Sequence, residues 1–225
     1  MFNNDSPQGE ITMHEIRHIK CKTDNCYIVS SGDKAVLVDT ASGEGYETVL
    51  AECSKYDLQL ILLTHVHFDH AENAARLAGH FNVPVALHEA DMELFESFDK
   101  QPLKSWGLVG KVVLDMSLKV LRNTVVEKPE NIIFVREGDS LLDYGIDARV
   151  LELPGHTNGS VGLDVEDRSL LVGDALDNWI SAATGHLYYD MDALKKSASR
   201  ISSLGPRTLY YGHGKPTENK FKLLK

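Results

Sequence analysis

The sequence predicts a mixed α/β (α+β) domain in which two β-sheets pack on each other and helices cover them. Three observations predict it. Short apolar, β-branched runs bounded by turn residues recur in both halves of the chain, with helix-like stretches between them. A segment of different character, residues 89–128, separates the halves and reads as a helical insertion. The length, 225 residues, with 43% apolar and 25% charged residues, suits a single folded domain over 1–225 whose core needs no disulfides.

The elements follow in order. Strands at 27–29 and 35–38 flank the turn-rich Ser30-Ser31-Gly32-Asp33-Lys34, a hairpin signal. Residues 46–55 have helical composition. Residues 58–63 are a short apolar run, as in a strand buried on both faces. An Ala-rich helix is expected over 71–80 and a short strand over 83–87. Within the insertion, Asp91 is placed to cap a helix over 92–98, and 103–121 is apolar at mixed spacing. An extra core layer, a lid over substrate and a dimer contact are three roles open to it. Strands are expected again at 132–135, 141–142, 148–153, 161–165 and 170–172. A helix over 189–204 stops at Gly205-Pro206, and a last strand covers 208–211.

Charge and cysteine usage narrow the function. Lys plus Arg is 23 and Asp plus Glu is 33, a net −10, which speaks against phosphate-driven nucleic-acid binding. Cys21, Cys26 and Cys53 are too few for a zinc ribbon and read as reduced, buried thiols. The N-terminal Met1-Phe2-Asn3-Asn4-Asp5-Ser6-Pro7 has no apolar core of a secretory signal. No apolar run approaches the roughly 18 residues of a membrane span. The expectation is a cytoplasmic protein acting on a small molecule, with no nucleic-acid or membrane partner and with a homodimer through the insertion as an option.

Five of the ten histidines and two aspartates share one context, directly after an apolar strand-like run. His65, His67, Asp69 and His70 follow Leu60-Ile61-Leu62-Leu63. His156 follows the run that ends Leu153-Pro154-Gly155, Asp174 follows Leu170-Leu171-Val172-Gly173, and His213 follows Leu209-Tyr210-Tyr211-Gly212. Strand ends are rigid and can aim several ligands at one point. Imidazole and carboxylate suit Zn²⁺, Fe or Mn²⁺. A closed structural zinc site needs only about four ligands; seven candidates without a cysteine point to two open metal sites, with an aspartate as the natural bridge. His14, His18, His80, His88 and His186 have no such context and are read as non-ligands.

Thr64-His65-Val66-His67-Phe68-Asp69-His70, Pro154-Gly155-His156-Thr157, Gly173-Asp174-Ala175 and Gly212-His213-Gly214 resemble, in order, the successive motifs of the metallo-β-lactamase-fold hydrolases. The resemblance spans residues 10–216. It implies a four-layer αββα sandwich with two divalent metal ions at one edge, zinc in the first place and iron or manganese otherwise. It implies that His65, His67 and His156 bind one metal, that Asp69, His70 and His213 bind the other, and that Asp174 bridges. Asp39 matches a recurrent position that supports such a site from behind. An aspartate at 174, where class B β-lactamases have cysteine, is similar to the glyoxalase II and lactonase branch. His67 stands where flavodiiron proteins have glutamate. Against glyoxalase II itself, the chain stops twelve residues after His213, without that family's C-terminal glutathione-binding domain.

The implied chemistry is hydrolysis of a small ester, lactone or thioester by a hydroxide held between two metals, with Asp69 orienting it or managing a proton. Two alternatives stand beside it: a mononuclear-iron oxidoreductase similar to persulfide dioxygenases, and a ligand sensor without turnover. Trp179, Ile180, Tyr188, Tyr189, Phe95, Phe98, Trp106 and Met116 are pocket candidates. Thr157, Asn158 and Ser160 read as turn and support groups.

Overall fold

The computed structural model describes residues 14–121 and 124–224. The N-terminal segment read above for a signal, and residues 122–123 of the insertion, lie outside the described residues. The chain opens on three antiparallel strands, β1 (Glu15–Cys21), β2 (Asp24–Ser31) and β3 (Lys34–Val38). Helix α1 (Tyr46–Cys53) returns the chain so that β4 (Asp57–Leu62) lies parallel to β3. Helices α2 (Phe68–Ala71) and α3 (Ala74–Phe81) lead to β5 (Val85–Leu87), again parallel. The segment read as an insertion holds two 3-10 segments (Glu89–Phe95 and Phe98–Lys100), the short β6 (Lys104–Ser105) and α4 (Gly107–Leu121). Strand β7 (Ile132–Phe134) then pairs with β5 and completes a six-stranded sheet of order β1-β2-β3-β4-β5-β7.

The second half begins with the antiparallel β8 (Ala148–Glu152), β9 (Val161–Val165) and β10 (Ser169–Gly173). A small ribbon, β11 (Leu176–Asp177) and β12 (Ala183–Thr184), follows, and β13 (Leu187–Tyr188) pairs with β6 of the insertion. Helix α5 (Met191–Ser203) crosses to β14 (Thr208–Tyr211), parallel to β10, and β15 (Thr217–Glu218) closes a five-stranded sheet of order β15-β14-β10-β9-β8. The Asp190 carboxylate caps α5 by accepting from the N–H groups of Asp192 and Ala193.

Side-chain alternation along each strand explains the layering. In β3, Ala35 and Leu37 join the apolar cluster that includes Val49 of α1 and Leu77 of α3. Val36 and Val38 face the other way, into a cluster shared with Val150 and Leu163 of the second sheet. In β10, Leu170 and Val172 pack with Leu194, Ala198 and Ile201 of α5, while Leu171 turns inward. The result is the αββα sandwich, with three apolar layers between four structural ones.

Several local expectations are corrected. Leu141 and Leu142 form no strand: Leu141 is a buried core anchor and residues Leu142–Tyr144 make a 3-10 turn ended by Gly145 at φ +81°. Asp91 does not cap an α-helix over 92–98. His88 caps a 3-10 segment there, its Nδ1 accepting from Ala90 N–H, and Asp91 is buried inside it. Strand β1, absent from the reading, alternates exposed and buried residues along an outer edge of the first sheet. The helix expected from 71 starts earlier, at Phe68, and breaks before α3.

Candidate metal centre

Strands β3 and β4 run parallel, and β8, β10 and β14 share a direction in the second sheet. Their C-terminal ends meet at one edge of the sandwich. The junction is hydrogen-bonded: Val161 N–H donates to Thr64 O at 2.8 Å, Asn25 N–H to Gly212 O at 2.9 Å, and Gly212 N–H to Gly173 O at 3.0 Å. Glycine is required where these ends crowd. A Cβ on Gly212 would lie 2.2 Å from Asp174 Oδ1 and 2.5 Å from His70 Cε1.

All seven candidate ligands gather there. His65, His67 and His156 place one donor atom each within 4.8 Å of one another, and so do Asp69, His70 and His213. A third group, His65, His70 and Asp174, overlaps both. Asp174 faces each side: Oδ1 is 3.5 Å from His70 Nε2, and Oδ2 is 3.6 Å from His156 Nε2 and 3.5 Å from His213 Nε2. The other described histidines stay outside these groups. His14 pairs with Glu166, His18 with Asn25, and His186 with Asp177.

The donor chemistry fits a cation. His70 donates from Nδ1 to Asp39 Oδ2 (2.8 Å), His156 from Nδ1 to Leu187 O (2.9 Å) and His213 from Nδ1 to Thr23 O (3.0 Å). Each therefore turns its Nε2 toward the cluster, where a bound cation would take the place of a proton. His67 Nδ1 and His156 Nε2 approach to 2.9 Å. His65 Nε2, His67 Nε2, His70 Nε2 and Asp174 Oδ1 are buried with no hydrogen-bond partner among the described residues. Orphaned buried polar atoms are costly unless something else engages them, and a cation is the partner that suits imidazole and carboxylate together.

Electrostatics divide the histidines. Burial, reinforced by neighbouring imidazoles, pushes His65 well below the usual range and His67 down to about 3, so both stand neutral. Burial opposes charge on His70 as well, but the carboxylates of Asp39, Asp174 and Asp69 outweigh it and hold His70 up to about 9. His213 is raised in the same way by Asp174 and Asp69. Asp69 resists its own burial through His213 and His70 and falls to about 2. Carboxylates thus govern His70 and His213, whereas burial governs His65 and His67.

Two buried aspartates hold the ligand loops. Asp39, at φ +61°, accepts from Thr64 N–H (2.7 Å), Thr64 Oγ1 (2.8 Å) and His70 Nδ1. Its left-handed backbone is uncommon for a non-glycine residue and is pinned by these bonds and by Asn73, whose Nδ2 donates to the carbonyls of Thr40, Ala41 and Ser42. Asp91 was not legible as a site residue. Its Oδ2 accepts from Val66 N–H (3.2 Å), between His65 and His67, and from Thr157 Oγ1 (2.8 Å). Its Oδ1 accepts from Gly159 N–H (2.8 Å). One carboxylate thereby ties the His65 and His67 loop to the loop after His156. Ser160 Oγ completes that turn by accepting from Thr157 N–H.

A cleft of about 470 Å³ opens over the cluster, and α4 forms one wall of it. Of the pocket candidates, Met116 and Trp179 line it, and Trp179 stacks on His213 with centroids 4.5 Å apart. Phe98 lies beneath, 5.8 Å from the His67 ring. The others point elsewhere. Ile180 is solvent-exposed, Phe95 and Tyr188 pack against core clusters, Trp106 stacks on His186, and Tyr189 is outside the lining.

A four-layer αββα sandwich that presents histidines and aspartates from strand ends at one edge is a scaffold of metal-binding hydrolases. The chain belongs to the metallo-beta-lactamase superfamily, whose family model matches residues 21–213. It is 31% identical over 166 residues to hydroxyacylglutathione hydrolase GloC of Haemophilus influenzae, covering 72% of this chain and 71% of that one. It is 25% identical over 203 residues to a probable metallo-hydrolase, MJ0888, of Methanocaldococcus jannaschii, covering 84% and 87%. The solved structure of TTHA1623 in a di-iron-bound form superposes with a TM-score of 0.64 at 27% identity, over 91% of this chain and 94% of that chain. The family implies divalent metal ions and hydrolytic chemistry. No helix among the described residues is long and apolar enough to cross a membrane.

Proposed function

We propose that the protein is a dinuclear metal hydrolase that cleaves a small ester, lactone or thioester, with zinc as the first choice of metal. The observation that carries this reading is the set of buried, partnerless His and Asp atoms in overlapping groups around Asp174. His65, His67 and His156 would hold one ion, Asp69, His70 and His213 the other, and Asp174 reaches both groups. The likeness to a hydroxyacylglutathione hydrolase supports acyl transfer to water.

Ions bound there supply a water made acidic enough to act as a nucleophile near neutral pH and a Lewis acid for the carbonyl. The chain's own residues do the rest. The cleft wall positions the acyl carbon beside the cluster. Water adds its oxygen to that carbon, the C–O or C–S bond breaks, and the leaving alkoxide or thiolate takes up the proton lost by the water. Asp69 lines the cleft with Oδ2 3.3 Å from His213 Nε2, and would orient the attacking water or pass that proton.

The test is metal analysis with a substrate screen. Protein loaded with zinc, iron or manganese is assayed on esters, lactones and thioesters, with oxygen uptake recorded alongside. His67→Ala and Asp174→Ala are expected to lose metal and hydrolysis together. Full hydrolysis by metal-free Asp174→Ala protein, or turnover that consumes oxygen in place of releasing acid, would overturn the proposal.

A further inference from the structure

The cleft has two unlike sides. One holds the ligand cluster. The other is apolar, formed by Leu103, Val113, Met116, Val120 and Leu187. Among the described residues the lining holds no lysine or arginine, and Asp24 is its one carboxylate outside the proposed ligand set. Asp24 is fixed at the mouth by Thr23 Oγ1 and by Ser42 N–H and Oγ.

Helix α4 extends the apolar side beyond the cleft. Leu108, Val112, Met116 and Val120 recur every four residues and are 82%, 61%, 65% and 41% exposed. Twelve residues of helix separate the first from the last, a stripe about 18 Å long. Its far end, Met116 and Val120, is the cleft wall. The helix is held at its start. Strand β6 pairs with β13, Trp106 Nε1 donates to Gly185 O at 2.7 Å and its ring stacks on His186, and Gly110 packs so closely that a Cβ would lie 2.9 Å from His186 O. The exposed stripe is a rigid surface continuous with the site.

We infer that the substrate carries an apolar acyl or alkyl chain, which lies along α4 from Val120 toward Leu108. The inference rests on the hydrolase reading and names its substrate class.

Two assays on the metal-loaded protein separate the two ideas. Binding of methyl ketones from butanone to decanone, which cannot be hydrolysed, is followed by Trp179 fluorescence. Hydrolysis is followed with p-nitrophenyl esters from acetate to decanoate, with the same chains bearing a terminal carboxylate, and with S-acylglutathiones. Affinity and kcat/KM are expected to rise about fourfold for each methylene buried, and a terminal carboxylate to cancel that gain. Met116→Asp should flatten the dependence on chain length, and Met116→Leu should keep it. A flat series in both assays overturns the inference and leaves the hydrolase reading standing. Chain-length-dependent ketone binding with no ester, lactone or thioester cut overturns the hydrolase reading and supports the apolar site.

Discussion

Replacing Asp91 with alanine removes three acceptor contacts at a fully buried position. The Thr157 hydroxyl keeps Ser160 Oγ at 2.8 Å, so it is not stranded. The N–H groups of Val66 and Gly159 are. A buried donor left without a partner costs about 1–3 kcal/mol, so two cost about 2–6 kcal/mol. One effect works against this. Burial holds the Asp91 carboxyl above the ordinary carboxylate range, so the native state already bears a cost for that charge, which the variant sheds. The expected loss is therefore the lower part of the range, about 2–4 kcal/mol. Urea unfolding of metal-free wild type and Asp91→Ala at neutral pH measures it. Because Asp91 joins two ligand loops, folded variant should also bind metal about 10–100-fold more weakly, the usual effect of removing a group that orients ligands. A stability change under about 0.5 kcal/mol, the range of an ordinary surface substitution, with unchanged metal affinity, would refute the reasoning.

Two further outcomes are expected. Gly155→Ala places a side chain at φ +135° with its Cβ 2.2 Å from Leu194 N, so the PGH turn and the start of α5 cannot both persist. Thermal melts should show a loss above about 3 kcal/mol, and an unchanged melting temperature would contradict this contact. Burial pushes the Cys53 thiol up to about 12, so at pH 8 it should resist a thiol reagent until the chain is unfolded. Fast labelling of Cys53 in native protein would show the α1 packing to be wrong.

The sandwich was legible because strands buried on both faces leave a simple trace. Leu60-Ile61-Leu62-Leu63 and Leu170-Leu171-Val172 are short apolar runs, and each ends at a group of candidate ligands. Leu141-Leu142 shows the limit of that signal, since two core leucines anchor a 3-10 turn as well as a strand. Glu15-Ile16-Arg17-His18-Ile19-Lys20-Cys21 carried a period-two pattern of an edge strand, diluted by its charges. The role of Asp91 could not be read locally. An aspartate ahead of a helical stretch looks like a cap, and only the fold brings Val66 and Gly159 to it from 25 and 68 residues away. The apolar spacing of α4 left a core layer, a lid and a dimer contact open, and the structure leaves one stripe exposed beside the cleft.

In the proposed centre, seven residues at the ends of four strands hold two ions around Asp174. Anomalous diffraction from metal-loaded crystals tests it most directly. Two peaks are expected, one within bonding distance of His65, His67 and His156, the other of Asp69, His70 and His213, with Asp174 touching both. A single peak, or ions held by other residues, would contradict the account.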